Sequence, residues 1–211
     1  MSCKATGFFI YANLYDLVKR CGFISNVCDF CKNDNIGKEK MNITFRTLLK
    51  EVGRPVSGII HVGTNLGDQG RIYSDNHVNH VLWLDRNRGN LSELYNKTKL
   101  YPFIQQYITE VFLDKDVHNV CRSFDSFQRE NTARLPIERY DTLIVDVDDG
   151  TELKVLKGFE KNLGRSEPFI KNIHTKVRHV GEMDEYLFGF GFKQTCKSVS
   201  DIGWGDVLYT R

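Results

Sequence analysis

The sequence predicts an α/β domain with a mostly parallel seven-stranded sheet, helices on both faces and a C-terminal antiparallel hairpin. Three observations predict it. From residue 58 onward short apolar runs alternate with stretches of helical periodicity, the signature of parallel strands joined by helical crossovers. The run Tyr140–Val147 (YDTLIVDV) is the strongest strand signal and lies within that alternation. The last two runs, Phe192–Lys197 and Val207–Thr210, have only a loop between them, so they can pair as antiparallel neighbours.

Taken in order, residues 8–22 have the spacing of an amphipathic helix, with Phe9, Leu14, Leu17, Val18 and Cys21 on one face. The polar stretch Asn33–Lys40 reads as a linker. Residues 1–40 are therefore expected to be an N-terminal helical extension and 41–211 the domain itself. Thr44–Val52 is a helix closed by Gly53 and Pro55. Gly58–Val62 (GIIHV) is a buried strand, followed by a helix over Leu66–Tyr73. His80–Leu84 (HVLWL) is the second strand, Asn90–Lys99 a helix, and Gln106–Leu113 the third strand. After the strong run at 140–147, Thr151–Leu163 is helical with Leu153, Leu156, Phe159 and Leu163 inward. Phe169–Val177 is a strand and Met183–Phe190 a helix, before the closing pair.

The bulk numbers fit this reading. The 211 residues suffice for one α/β domain with a full core, and 41% apolar with 27% charged residues is ordinary for a soluble globular chain. A net charge of +2 argues neither for nor against a nucleic-acid partner. No membrane span or signal peptide is read, so the expected setting is cytoplasmic, with no membrane partner. Six cysteines in that setting read as free thiols. Cys28-Asp-Phe-Cys31 has the spacing of half a zinc site, but Cys3 and Cys21 are too far apart to form a second close pair. No metal site is assigned.

Three features carry chemistry. His61-Val62-Gly63-Thr64-Asn65-Leu66-Gly67 directly follows the first strand. A glycine there lets the backbone turn sharply and approach a ligand, although a tight strand-to-helix turn explains the same spacing. Asp85 ends the second strand 22 residues after Gly63, where a carboxylate can accept hydrogen bonds from both ribose hydroxyls of an adenosine ligand. Together the loop and the acid favour a nucleoside-containing cofactor. They do not decide between a dinucleotide and S-adenosylmethionine, although the missing G-x-G-x-x-G form leans to the latter. At the end of the strongest strand, Asp146, Asp148 and Asp149 put three carboxylates in four residues. They are placed to bind a cofactor ammonium, to orient an acceptor hydroxyl, to hold a divalent metal or simply to cap the next helix.

The order of these motifs resembles the FkbM-type family of S-adenosylmethionine-dependent O-methyltransferases. The matching segments are IIHVGTNLGDQ (59–69), VLWLDRN (81–87), VFLDKD (111–116), SFDSF (123–127), YDTLIVDVDDGTELKVLKG (140–158), DEYLFGFGFK (184–193) and GWGDVLYTR (203–211). The resemblance covers roughly residues 42–211 and implies a class I, Rossmann-like methyltransferase fold with S-adenosyl-L-methionine as cofactor. It also implies roles. Gly63, Thr64, Asn65 and Gly67 surround the methionine part, and Asp85 holds the ribose with Arg86 beside it. Asp114 lies near the adenine, and Asp146 stands between donor and acceptor. Asp146, Asp148 and His174 are candidates to take an acceptor proton, though His174 reads equally well as a core histidine. The implied acceptor is a hydroxyl-bearing small molecule or sugar.

The chain departs from the family on the acceptor side. Its acidic motif has one residue more, the stretch Asp116–Ser123 is short, and Lys176 stands where a glutamate is common. Lys176 supports an alternative, an RNA ribose 2′-O-methyltransferase with a Lys-Asp-Lys-acid tetrad built from Lys50 or Arg46, Asp146, Lys176 and Asp206. Pairing of Lys176 with a nearby acid explains the lysine as well. A third class, a binding protein that keeps the fold without turnover, rests on the altered acidic motif.

Overall fold

The computed structural model describes residues 43–64, 67–101, 103, 105–110, 123–147, 150–200 and 203–211. The chain divides into two compact units, Met1–Glu39 and Lys40–Arg211, and every described residue belongs to the second. The helix expected over residues 8–22, the linker and the N-terminal cysteines lie outside the described residues.

The second unit opens with helix α1 (Phe45–Val52). The Thr44 hydroxyl accepts the Thr47 N–H at its start, and Gly53 ends it in the left-handed conformation at φ 67°. Then follow β1 (Gly58–Val62), α2 (Gln69–Asp75), β2 (His80–Asp85), α3 (Arg88–Thr98), β3 (Gln105–Glu110), α4 (Phe124–Asn131) and, after a 3₁₀ turn at Ile137–Arg139, β4 (Thr142–Val145). The chain finishes through α5 (Glu152–Lys157), α6 (Glu160–Leu163), β5 (Asn172–Val177), α7 (Val180–Phe188), β6 (Lys193–Val199) and β7 (Gly205–Thr210).

These strands form one seven-stranded sheet in the order β3-β2-β1-β4-β5-β7-β6. The first five run parallel, and β7 lies antiparallel between β5 and β6. The expected sheet and terminal hairpin are both present. Strand order reverses between β1 and β4, the switch point beyond whose carboxyl ends ligands bind in open α/β sheets.

Alternation along the strands sends side chains to two cores. One face carries Ile60, Val62, Leu82, Leu84, Leu143, Val145, Ile173 and Val207 against Phe124, Phe159, Leu163, Met183 and Leu187. The other carries Ile59, Val81, Trp83, Ile144 and Leu208 against Ile43, Phe45, Leu48, Tyr73 and Leu94.

Three expectations need correction. The single helix over 151–163 is two helices broken at Gly158-Phe159, because the Asp125 carboxylate accepts the Lys161 and Asn162 N–H groups (2.8 and 3.2 Å) and starts a new helix there. Val155 joins the inward face of α5, and the half-buried Leu153 packs against the same core as expected. Helix α4 falls in a stretch for which periodicity predicted no element. The strand expected over 140–147 is only Thr142–Val145, since Tyr140 closes the 3₁₀ turn by donating its N–H to the Ile137 carbonyl.

Candidate active site

The carboxyl ends of β1, β2, β4 and β5 form the site, and each contributes a residue from the register row beyond the core. Val62 pairs with Leu84 and Val145, and Val145 pairs with Thr175. One step further, Gly63, Asp85, Asp146 and Lys176 stand side by side.

Gly63 lies at φ 82°, in the region that glycine alone occupies freely. A Cβ there would lie 2.1 Å from the Asp146 carbonyl oxygen. The Gly63 N–H donates to the Leu84 carbonyl (2.9 Å) and the Asp146 N–H to the Val62 carbonyl (2.8 Å), so the turn is stitched to both neighbouring strands. Gly67, at φ 77°, abuts Leu94 of α3, which a Cβ would meet at 2.3 Å. The two glycines are thus required by backbone sign and by space.

Thr64 is fully buried and points toward Asp85. Its N–H and hydroxyl both donate to Asp85 Oδ2, at 3.0 and 2.8 Å, and Asn90 adds a third donor at 3.3 Å. Asp85 Oδ1 accepts the Asn87 N–H, at 2.8 Å. A carboxylate oxygen offers about two lone-pair sites, so the three donors on Oδ2 fill it. The carboxylate thus takes one donor on Oδ1 and three on Oδ2. Nothing in the spacing pointed to Asn87 and Asn90 as its supports. Asn87 also caps α3, accepting the Gly89 N–H at 2.9 Å. Arg86 is exposed. Asn65, Asp114 and Asp148 lie outside the described residues.

Asp146 and Lys176 form an ion pair, with 16% and 34% of their side chains exposed. Asp206 sits opposite Lys176 in the β5–β7 register, yet its carboxylate is turned inward. Oδ2 accepts the Ile43 N–H at 2.8 Å and lies 3.5 Å from His174 Nε2. Asp206 therefore anchors the segment entering α1. Arg46 and Lys50 are exposed on α1. Of the residues named for the tetrad, the structure brings Asp146 and Lys176 together as an ion pair, an arrangement that pairing of Lys176 with a nearby acid explains as well. His174, two residues before Lys176 on β5, is half-buried beside Asp206.

Below this row lies His61, fully buried, whose Nδ1 pairs with the Tyr73 hydroxyl at 2.9 Å. Burial pushes the imidazole down to about 4, against the opposing pull of Asp146, so it is neutral at pH 7. Burial and the nearby Asp146 charge push the Tyr73 hydroxyl upward. A neutral aromatic floor of His61, Tyr73 and Trp83 thus underlies the charged row, with His61 and Trp83 ring centroids 5.2 Å apart.

A sheet of this order, a glycine turn after the first strand and an acid at the end of the second define the Rossmann-like fold of class I methyltransferases. Solved structures bear this out at the level of fold. The chain is similar to M. capricolum TrmK in complex with S-adenosyl-homocysteine (TM-score 0.52, 11% identity, covering 79% of this chain and 68% of that one). It is also similar to a SAM-dependent methyltransferase from Aquifex aeolicus (TM-score 0.52, 14% identity, 78% and 87% covered). A third likeness is to a protein of the NADB-Rossmann superfamily from Streptococcus agalactiae (TM-score 0.54, 9% identity, 83% and 69% covered). No family model matches the chain, and no curated protein matches its sequence. Among the described residues no helix is long and apolar enough to cross a membrane, and no group of His, Cys, Asp or Glu side chains is arranged to hold a metal ion.

Proposed function

We propose that this protein is an S-adenosylmethionine-dependent O-methyltransferase that binds its cofactor over the ends of β1 and β2 and methylates a hydroxyl of a small molecule or sugar. The observation that carries the reading is the convergence at the switch point. Gly63 is pressed on the Asp146 backbone, and Thr64 is locked to Asp85. The FkbM-type motifs at 59–69, 140–158 and 203–211 support the same class, as does the fold shared with TrmK, which was solved with S-adenosyl-homocysteine. Gly63, Thr64 and Gly67 would hold the methionine part, and Asp85 Oδ1 a ribose hydroxyl.

When bound, the cofactor supplies an electrophilic sulfonium methyl. The protein's part is alignment of the acceptor and exclusion of water. Asp146 is the carboxylate placed to accept the hydroxyl proton, and the Lys176 ammonium beside it is placed to steady the acceptor oxygen.

The Asp146–Lys176 pair also favours the RNA ribose 2′-O-methyltransferase reading. The inward turn of Asp206 and the exposure of Arg46 and Lys50 weigh against it.

Calorimetry with S-adenosylmethionine and S-adenosylhomocysteine tests the core of the proposal. Binding of both is expected, and binding of neither at high micromolar concentration would overturn it. Asp85→Ala is expected to weaken binding by about 1–3 kcal/mol through lost charged hydrogen bonds. Methyl-labelled donor offered with a glycan extract and with capped RNA separates the acceptors. Label in RNA that vanishes in Lys176→Ala supports the second reading. Tight cofactor binding with label in neither supports a binding protein without turnover.

A further inference from the structure

We infer that Trp204, braced by Arg178, is the stacking surface for the acceptor, and that the acceptor carries a planar aromatic ring. The inference rests on the methyltransferase reading above and extends it to the substrate.

The register places this pair. Lys176 lies opposite Asp206 and Val177 opposite Gly205, and Arg178 and Trp204 are the next residues beyond the ends of these two strands. Both residues therefore lie just past the carboxyl end of β5, beyond Lys176. That is the edge where an acceptor approaches Asp146. The Arg178 guanidinium carbon sits 4.4 Å from the Trp204 ring centroid, a stacked cation–π contact.

The indole is held in place although 45% of its surface is exposed. The Trp204 backbone N–H donates to the Ser200 hydroxyl at 3.2 Å, and the Trp204 carbonyl accepts the Ser200 N–H at 2.7 Å, so the turn that carries the ring is fixed. Gly203, at φ 83°, tightens the turn so that a Cβ there would come 3.0 Å from the Arg178 carbonyl oxygen. From the other side, a Cβ on Gly150 would lie 3.1 Å from Arg178 Cδ and Nε. Gly150, the end of β5 and Gly203–Trp204 therefore converge on one Arg–Trp stack. A single exposed aromatic is unremarkable on a protein surface. An exposed indole carried on a fixed turn and layered on a guanidinium, at the same end of the sheet as the proposed catalytic carboxylate, is a built platform. Flat rings stack on such layers with little dependence on ring identity. A non-planar sugar ring would instead rely on hydrogen-bonding groups around it.

The protein's two tryptophans make a direct test possible, because Trp83 is fully buried and Trp204 is the exposed one. The full chain, saturated with S-adenosylhomocysteine, is titrated with uridine, guanosine and methyl α-D-glucopyranoside while tryptophan emission is followed. Saturable quenching by a nucleoside is expected. By calorimetry its affinity is expected to fall about tenfold or more in Trp204→Leu and to be largely kept in Trp204→Phe. S-adenosylhomocysteine affinity is expected to stay the same in all three proteins. If S-adenosylhomocysteine binds but neither nucleoside quenches emission at millimolar concentration, the inference is overturned. A response to the pyranoside alone, or equal nucleoside affinity in Trp204→Leu, overturns it too. Failure to bind S-adenosylhomocysteine instead removes the reading on which the inference stands.

Discussion

Thr64 donates both its backbone N–H and its hydroxyl to one oxygen of Asp85, at 3.0 and 2.8 Å. This pair fastens the turn after β1 to the end of β2 with both partners buried. Thr64→Val keeps the shape and removes one donor to a buried carboxylate. It is expected to lower stability by about 1–3 kcal/mol and to weaken S-adenosylhomocysteine binding in parallel, with Thr64→Ser restoring most of both. Urea unfolding and calorimetry read the two effects. Unchanged stability in Thr64→Val would mean that the N–H alone holds the acid.

Gly63 and Gly53 separate two costs. Both have positive φ, 82° and 67°, but a Cβ at Gly53 meets nothing within 4 Å whereas at Gly63 it meets the Asp146 carbonyl. Gly53→Ala is expected to cost about 1 kcal/mol from backbone sign alone. Gly63→Ala adds displacement of Asp146 and is expected to cost about 3 kcal/mol or more and to abolish cofactor-product binding. Equal losses in the two variants, measured by urea unfolding, would show that the Asp146 strand end yields freely.

Asp206→Ala tests the anchor against the tetrad. As the acceptor for the Ile43 N–H, Asp206 is expected to contribute about 1–3 kcal/mol of stability, with S-adenosylhomocysteine affinity unaffected. A variant that keeps its denaturation midpoint yet loses methyl transfer would restore Asp206 to the catalytic set.

His61 makes stability depend on pH with a definite sign. Its folded-state value of about 4 lies below the ordinary 6.5, so between those values the unfolded chain binds the extra proton and stability falls as pH falls. Above pH 6.5 the group contributes no pH dependence. Toward pH 4 the accumulated loss is about 3 kcal/mol. Urea midpoints at pH 7 and 4.5 are expected to differ by more in the wild type than in His61→Leu. An equal difference would assign the acid sensitivity to other groups.

The parts of this protein legible in its sequence are those set by neighbours along the chain. β1 carries a continuous apolar run because both its faces are covered. α1 announces its ends through Thr44 and Gly53, whose capping needs only residues within one turn. Gly63, Asp85 and Asp146 could be placed at strand ends because strand period and motif spacing set where each strand stops. The break at Gly158 was not legible, since the carboxylate that starts α6 comes from Asp125, on a different helix. Nor was α4, an eight-residue helix with only Phe124 fully buried along its length.

The sequence by itself determined the α/β class, the strand order's raw material and the row of residues at the strand ends, because periodicity and turn chemistry are local. Only the tertiary structure decided what those residues do to one another. Asp85 is filled on one oxygen by Thr64 and Asn90, Asp206 is drawn inward by Ile43, Lys176 is joined to Asp146, and Trp204 is stacked on Arg178. All of these contacts except Asn90 to Asp85 close across tens of residues, so the direction of each carboxylate depends on donors brought beside it by the sheet's register.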